Sequence, residues 1–122
     1  MDQPTPIQRW NSGAIGRSHA VAFNGVVWLV ANTKEPGTPS AQQIDSTLDY
    51  LEAALIQAGS GKDRLLSVQV LLKDIADRDA FNDKWCQWIG EDPRNWPQRA
   101  VYGAALAPGL AIEIIAVAVQ SA

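Results

Sequence analysis

The chain is short of the residues that usually crosslink a fold or carry its chemistry. It has a single cysteine, Cys86, so no intrachain disulfide can form and a reducing, cytoplasmic setting is expected. Its one histidine, His19, has no second His, Asp or Cys at ligand spacing, which favours a structural role over a metal or catalytic one. Basic residues are outnumbered, with 10 Lys and Arg against 13 Asp and Glu, a net charge of -3 and a pI near 4.9. Surfaces that neutralise phosphates are basic, so nucleic acid is disfavoured as a partner. No apolar run approaches the ~20 residues of a bilayer span, because Pro108, Gly109 and Glu113 interrupt the longest candidate. The start, Met1-Asp2-Gln3-Pro4, lacks the basic region and apolar core of a secretory signal. At 122 residues, the length suits one domain spanning 1–122 and no second one.

Charge is scarcest towards the end. Residues 95 to 122 contain two charged side chains, Arg99 and Glu113, among Ala, Val, Ile, Leu and Gly. Taking a charge out of water costs several kcal/mol, on the order of what only a partner or a function offsets. A period of two from Ile112 to Val119 places Glu113 on one face with Ile115, Val117 and Val119. The same parity places Arg99 with Val101, Gly103 and Ala105, after the extended Trp96-Pro97 pair. Both charges therefore interrupt apolar surfaces, and they are the candidate site.

The element order reads as β-β-β-α-β-α-β-β. Strands are expected at Ile7 to Trp10, Ala20 to Phe23 and Val26 to Val30, the last two joined by an Asn24-Gly25 hairpin turn. After a polar stretch from Asn32 to Pro39, either Thr38-Pro39 or Ser40 with Gln43 starts a helix carrying Ile44, Leu48, Leu51 and Leu55 and ending at Gly59. Leu65 to Leu72 is a central strand with Leu66, Val68, Val70 and Leu72 on one face. Asp77 or Asp79 is expected to cap a second helix with Phe81, Trp85, Trp88 and Ile89 as its stripe and Pro93 at its end. Strands over 99–106 and 111–119 complete the list.

Two helices can cover only one face of a six-stranded sheet, whereas the late strands are apolar on both. An uncovered apolar face of that size is unusual on a monomer, so a closed homo-oligomer with sheets packed inward is predicted. If the last two strands form a hairpin at Pro108-Gly109, Glu113 faces about residue 104 and Arg99 lies ~16 Å further along the ladder. If another strand separates them, the gap remains. In either case a site at a subunit boundary would be the way to bring Arg99 of one copy to Glu113 of another.

Laid out in order, these segments resemble the Rid family, the reactive intermediate deaminases also called YjgF or L-PSP. The resemblance rests on Ser18-His19-Ala20-Val21, Thr47-Leu48 through Ala58-Gly59-Ser60, Phe81-Asn82-Asp83-Lys84-Trp85, Pro97-Gln98-Arg99-Ala100-Val101 and Ile112-Glu113-Ile114. It implies an α+β, chorismate-mutase-like fold: a six-stranded mixed sheet with two helices on one face, assembled as a homotrimer with clefts between subunits. The implied reaction is hydrolysis of reactive enamines and imines, of the 2-aminoacrylate and 2-iminobutanoate type, to 2-ketoacids and ammonia, with no metal or organic cofactor. Arg99 matches the arginine that holds the substrate carboxylate, Glu113 the acid that positions water, and Asn82 and Trp85 a family Asn and aromatic near the cleft. The sequence departs from the common pattern at Arg17, where many members have Tyr, at Val101, where many have Cys, and at Ala31, where Gly is common. These three bear on substrate range, and an added cation at Arg17 would suit a dicarboxylate if it lines the cleft.

The residue types fit this chemistry on their own terms. A guanidinium is planar, always charged and grips a carboxylate with two parallel hydrogen bonds, while a carboxyl can relay a proton between water and a departing nitrogen. Two other readings stand beside the deaminase: a non-catalytic protein that binds small carboxylates or 2-ketoacids, and an endoribonuclease, against which the acidic surface speaks. Cys86 has no adjacent base and reads as a small buried or half-buried residue. Gly59-Ser60-Gly61-Lys62 follows a helix and lacks phosphate-loop spacing.

Overall fold

The computed structural model describes residues 6 to 121; the N-terminal stretch Met1 to Pro4, read above for a targeting signal, lies outside them. Strands β1 (Gln8–Asn11), β2 (Ser18–Phe23) and β3 (Val26–Asn32) form an antiparallel meander. Asn24 and Gly25 turn β2 into β3 with φ of 51° and 79°, the doubly left-handed backbone that Asn-Gly tolerates and that matches strand twist. Helix α1 (Ser40–Gln57) follows, then β4 (Leu65–Leu72), helix α2 (Arg78–Ile89), β5 (Gln98–Gly103) and β6 (Ile112–Val119). All six strands join one sheet in the order β1-β2-β3-β6-β4-β5. β6 thus lies between β3 and β4, antiparallel to both, and β5 runs parallel to β4 at the edge.

Both helices cover the same face. Ala20, Ala22, Val27, Leu29, Ala31, Val68, Val70, Leu72 and the even residues Ile112 to Ala118 are buried there against Ile44, Leu48, Leu51 and Leu55 of α1 and Phe81, Trp85 and Ile89 of α2. The opposite face is uncovered and displays Phe23, Trp28, Val30 and Ile115, all exposed, with half-buried Val21, Leu71 and Val117 between them. This is the arrangement expected from the apolar patterning of both faces.

Several boundaries differ from the sequence reading, each for a local reason. Leu66 is exposed, not part of the buried row: Leu65 pairs with Ala118 and Ser67 with Val117, so Leu66 is the extra residue of a bulge. Asp77 precedes α2 without a side-chain cap; Asp74, three residues earlier, accepts from the Ala76 amide and starts a 3-10 turn that runs into the helix. α2 ends at Gly90, whose φ of 86° is left-handed, before Pro93, which opens a further short turn. β5 stops at Gly103, short of 106. The last two strands are not hairpin neighbours, because β4 separates them.

Gln43 does not close a capping box at the start of α1. Its side chain is buried, donates to Thr38 O at 2.9 Å and Gly109 O at 2.8 Å, and accepts from the Ala111 amide at 2.7 Å. It locks the 32–39 loop and the segment before β6 onto the helix. Gly109 is held close as well, since a Cβ there would sit 3.1 Å from Pro36 Cβ. Gln43→Ala would strand Thr38 O and the Ala111 amide, while Gly109 O keeps its bond from the Gly37 amide, with an expected cost of about 2–4 kcal/mol in chemical denaturation.

Candidate functional site

Arg99 enters the structure at the second residue of edge strand β5, opposite Val68 of β4, and so projects onto the helix-covered face. There it meets the stripe of α2. Its Nη2 donates to Asn82 Oδ1 at 2.8 Å, and its guanidinium lies 5.4 Å from the ring centroids of both Phe81 and Trp85. Phe81, Asn82 and Trp85 are one helical turn, which is why one cation touches all three. Burial holds the Arg99 pKa below its ordinary value; Cys86 nearby works against this and Arg78 with it. A guanidinium remains fully charged at neutral pH despite such a shift.

No ion pair among the described residues involves Arg99. It lines an open cleft of about 920 Å³ between the C-terminal half of α2 and the segment leading into β5. Asn82, Trp85, Cys86, Ile89, Glu91, Trp96 and Pro97 line that cleft with it. Cys86 is exposed there, contrary to the buried or half-buried position expected from sequence, because it lies on the flank of α2 beside the Trp85 stripe.

Glu113 lies elsewhere. It pairs with Leu71 of β4 and Asn32 of β3 on the uncovered face, where Asn32 Nδ2 donates to Glu113 Oε1 at 3.5 Å. Arg99 and Glu113 are two strands and three residues apart, which puts their Cα atoms on the order of 14 Å from each other, with side chains on opposite faces. One copy of the chain brings Arg99, Asn82 and Trp85 together and leaves Glu113 out. Val101 is half-buried beside Arg99 on the same face, packed on the core opposite Val70. Ala31 is wholly buried against the helices, opposite Ile114, so its side chain lines no surface. Arg17 is exposed in the connection between β1 and β2 and does not line the Arg99 cleft of its own chain.

A family model described as Endoribonuclease L-PSP matches residues 1–120. The chain belongs to the L-PSP, or YjgF, family. A RutC family protein of Haemophilus ducreyi is 29% identical over 100 residues, covering 80% of this chain and 84% of the relative. A RutC family protein of Drosophila melanogaster is 30% identical over 105 residues, covering 84% of this chain and 72% of the relative. A crystal structure of a YjgF family member from Neisseria meningitidis superposes with a TM-score of 0.87 at 27% identity, covering 98% of this chain and 99% of that one. The six-stranded mixed sheet with two helices is the architecture of the YjgF family.

Other features of this L-PSP family member are structural. His19 Nδ1 lies 2.6 Å from the Tyr50 hydroxyl and ties β2 to α1. Burial pushes the Tyr50 phenol up, so it keeps a proton to donate. Within the glycine-rich stretch, Ser60 Oγ donates to Val119 O, and Lys62 Nζ donates to Trp88 O from above that indole ring. No group of three His, Cys, Asp or Glu side chains among the described residues is placed to hold a metal. No helix among them is long and apolar enough to cross a membrane. Sequence reasoning did not single out Trp96 or Glu91 as cleft residues; the Trp96-Pro97 pair, one residue removed from Arg99, was the available signal for the first.

Proposed function

We propose that this protein is a cofactor-independent deaminase that hydrolyses 2-imino and enamino acids to 2-ketoacids and ammonia. The observation that carries this reading is Arg99: an unpaired guanidinium, fixed by Asn82 and two aromatic rings, at the wall of an open cleft. It would hold the substrate carboxylate with two parallel hydrogen bonds and so fix the adjacent imine carbon in space. Water adds to that carbon, a proton passes to nitrogen, and ammonia leaves: R–C(=NH)–COO⁻ plus H₂O gives R–CO–COO⁻ plus NH₃. Membership of the family supports the reading.

Glu113 is the proposed positioner of water, and its place on the opposite face makes a second copy part of the reading. The uncovered face bearing Phe23, Trp28, Val30 and Ile115 is the surface on which copies would pack as a homotrimer, with Glu113 of one copy approaching Arg99 of another. The weak 3.5 Å bond from Asn32 leaves Glu113 with free lone pairs for a water molecule. Glu113→Gln is expected to retain the fold and pyruvate binding while turnover falls about 100-fold, measured as ammonia release from 2-aminoacrylate or 2-iminobutanoate generated in situ. Unchanged turnover would remove Glu113 from the mechanism.

The separation of Arg99 from Glu113 also favours a second reading, a small-carboxylate or 2-ketoacid binding protein, since one copy alone has the grip without the acid. Pyruvate-induced thermal stabilisation without ammonia release from either imine would select that reading.

A further inference from the structure

The Arg99 cleft is larger and more apolar than a three- or four-carbon acid requires. Trp96, Pro97 and Ile89 line the same open cleft of about 920 Å³ as Arg99 and Asn82. Trp96 is the unusual member. More than half of its surface, 54%, is exposed, yet its indole is not free to rotate, because Nε1 donates to Gly90 O at 2.9 Å. Gly90 is the residue whose left-handed φ ends α2, so the bond anchors the ring to the rigid end of that helix. An exposed, orientationally fixed indole presents a face on which another ring can stack.

Charge in the cleft narrows the choice. Glu91 lines it together with Trp96 and repels a second carboxylate, and Arg17, the cation that would have welcomed one, does not line it in its own chain. A single carboxylate at Arg99 and an uncharged, flat group at Trp96 are what the walls accommodate.

We propose that this cleft selects 2-imino acids with an aromatic side chain, Trp96 being the specificity-determining surface against which the ring packs. This rests on the deaminase reading for the word imino, whereas ring selection itself can be read from binding alone. The test compares phenylpyruvate with pyruvate by calorimetry on the full chain, alongside ammonia release from the imines that an L-amino-acid oxidase forms from phenylalanine and alanine. Phenylpyruvate is expected to bind at least about tenfold tighter than pyruvate, and this preference is expected to vanish in Trp96→Ala and largely return in Trp96→Phe. Equal affinities, or a preference that survives Trp96→Ala, would overturn the proposal. Ring-selective binding with neither imine hydrolysed would sink the deaminase reading and leave the selection standing. Faster hydrolysis of the alanine-derived imine would do the reverse.

Discussion

Arg99→Ala is expected to lower kcat/KM for imine hydrolysis by at least about 10³-fold while the protein stays folded. The loss combines the carboxylate grip, worth about 3 kcal/mol for a charge-assisted bidentate pair, with the orientation that this grip imposes on the reacting carbon. Arg99→Lys keeps the charge but not the two-pronged geometry, so an intermediate loss of about 10²-fold is expected. Asn82→Ala would leave the charge in place but release its 2.8 Å tether, and a smaller loss concentrated in KM should result. Steady-state ammonia release with melting curves for each variant checks the series. Activity of Arg99→Ala within threefold of the parent would end the case for this cleft.

Trp28→Glu is expected to turn the proposed trimer into monomers and, with them, to abolish turnover. Trp28 stands on the uncovered face, 47% exposed within one copy, so charging it costs the protomer little. Burying that ring between copies is worth about 2–3 kcal/mol each, and three copies lose it together, an association weakened on the order of 10⁴-fold or more before the desolvation of three carboxylates is added. Sedimentation velocity at micromolar concentration reads the assembly directly. A parent chain that sediments as a monomer, or a Trp28→Glu variant that remains assembled and active, would refute the arrangement.

The two helices, the hairpin at Asn24-Gly25 and the two-faced apolarity of β6 were legible in the sequence because each rests on local periodicity or turn chemistry. Residues that depend on what lies opposite were harder. The bulge at Leu66 reflects β4's pairing with β6, and parity counted along β4 alone assigns Leu66 to the wrong face. The cap at Asp74 was displaced by a 3-10 turn that no pattern of charges distinguishes from a first helical turn. For the site, sequence identified Arg99 with Asn82 and Trp85, three residues that the structure unites through one face of α2. That Arg99 and Glu113 point to opposite faces follows from register: Arg99 aligns through Val68 with Ala116, an odd three residues from Glu113, and this register across an intervening β4 leaves no mark in composition or spacing. Trp96 took its cleft position from the turn that ends α2 at Gly90, one glycine whose consequence is three-dimensional, and Cys86 took its own from the flank of α2 on which it lies.

The central place of β6 has a consequence for synthesis on the ribosome. β3 and β4 pair with β6 and not with each other, so the β1 to β3 meander and the β4–β5 pair stay unjoined until the last described strand emerges. Until then the nascent chain carries two bare seams, each ready to accept a foreign strand. Completion of the sheet therefore waits for β6, and a chain arrested just before Ile112 should be a client for chaperones instead of a half-folded protein.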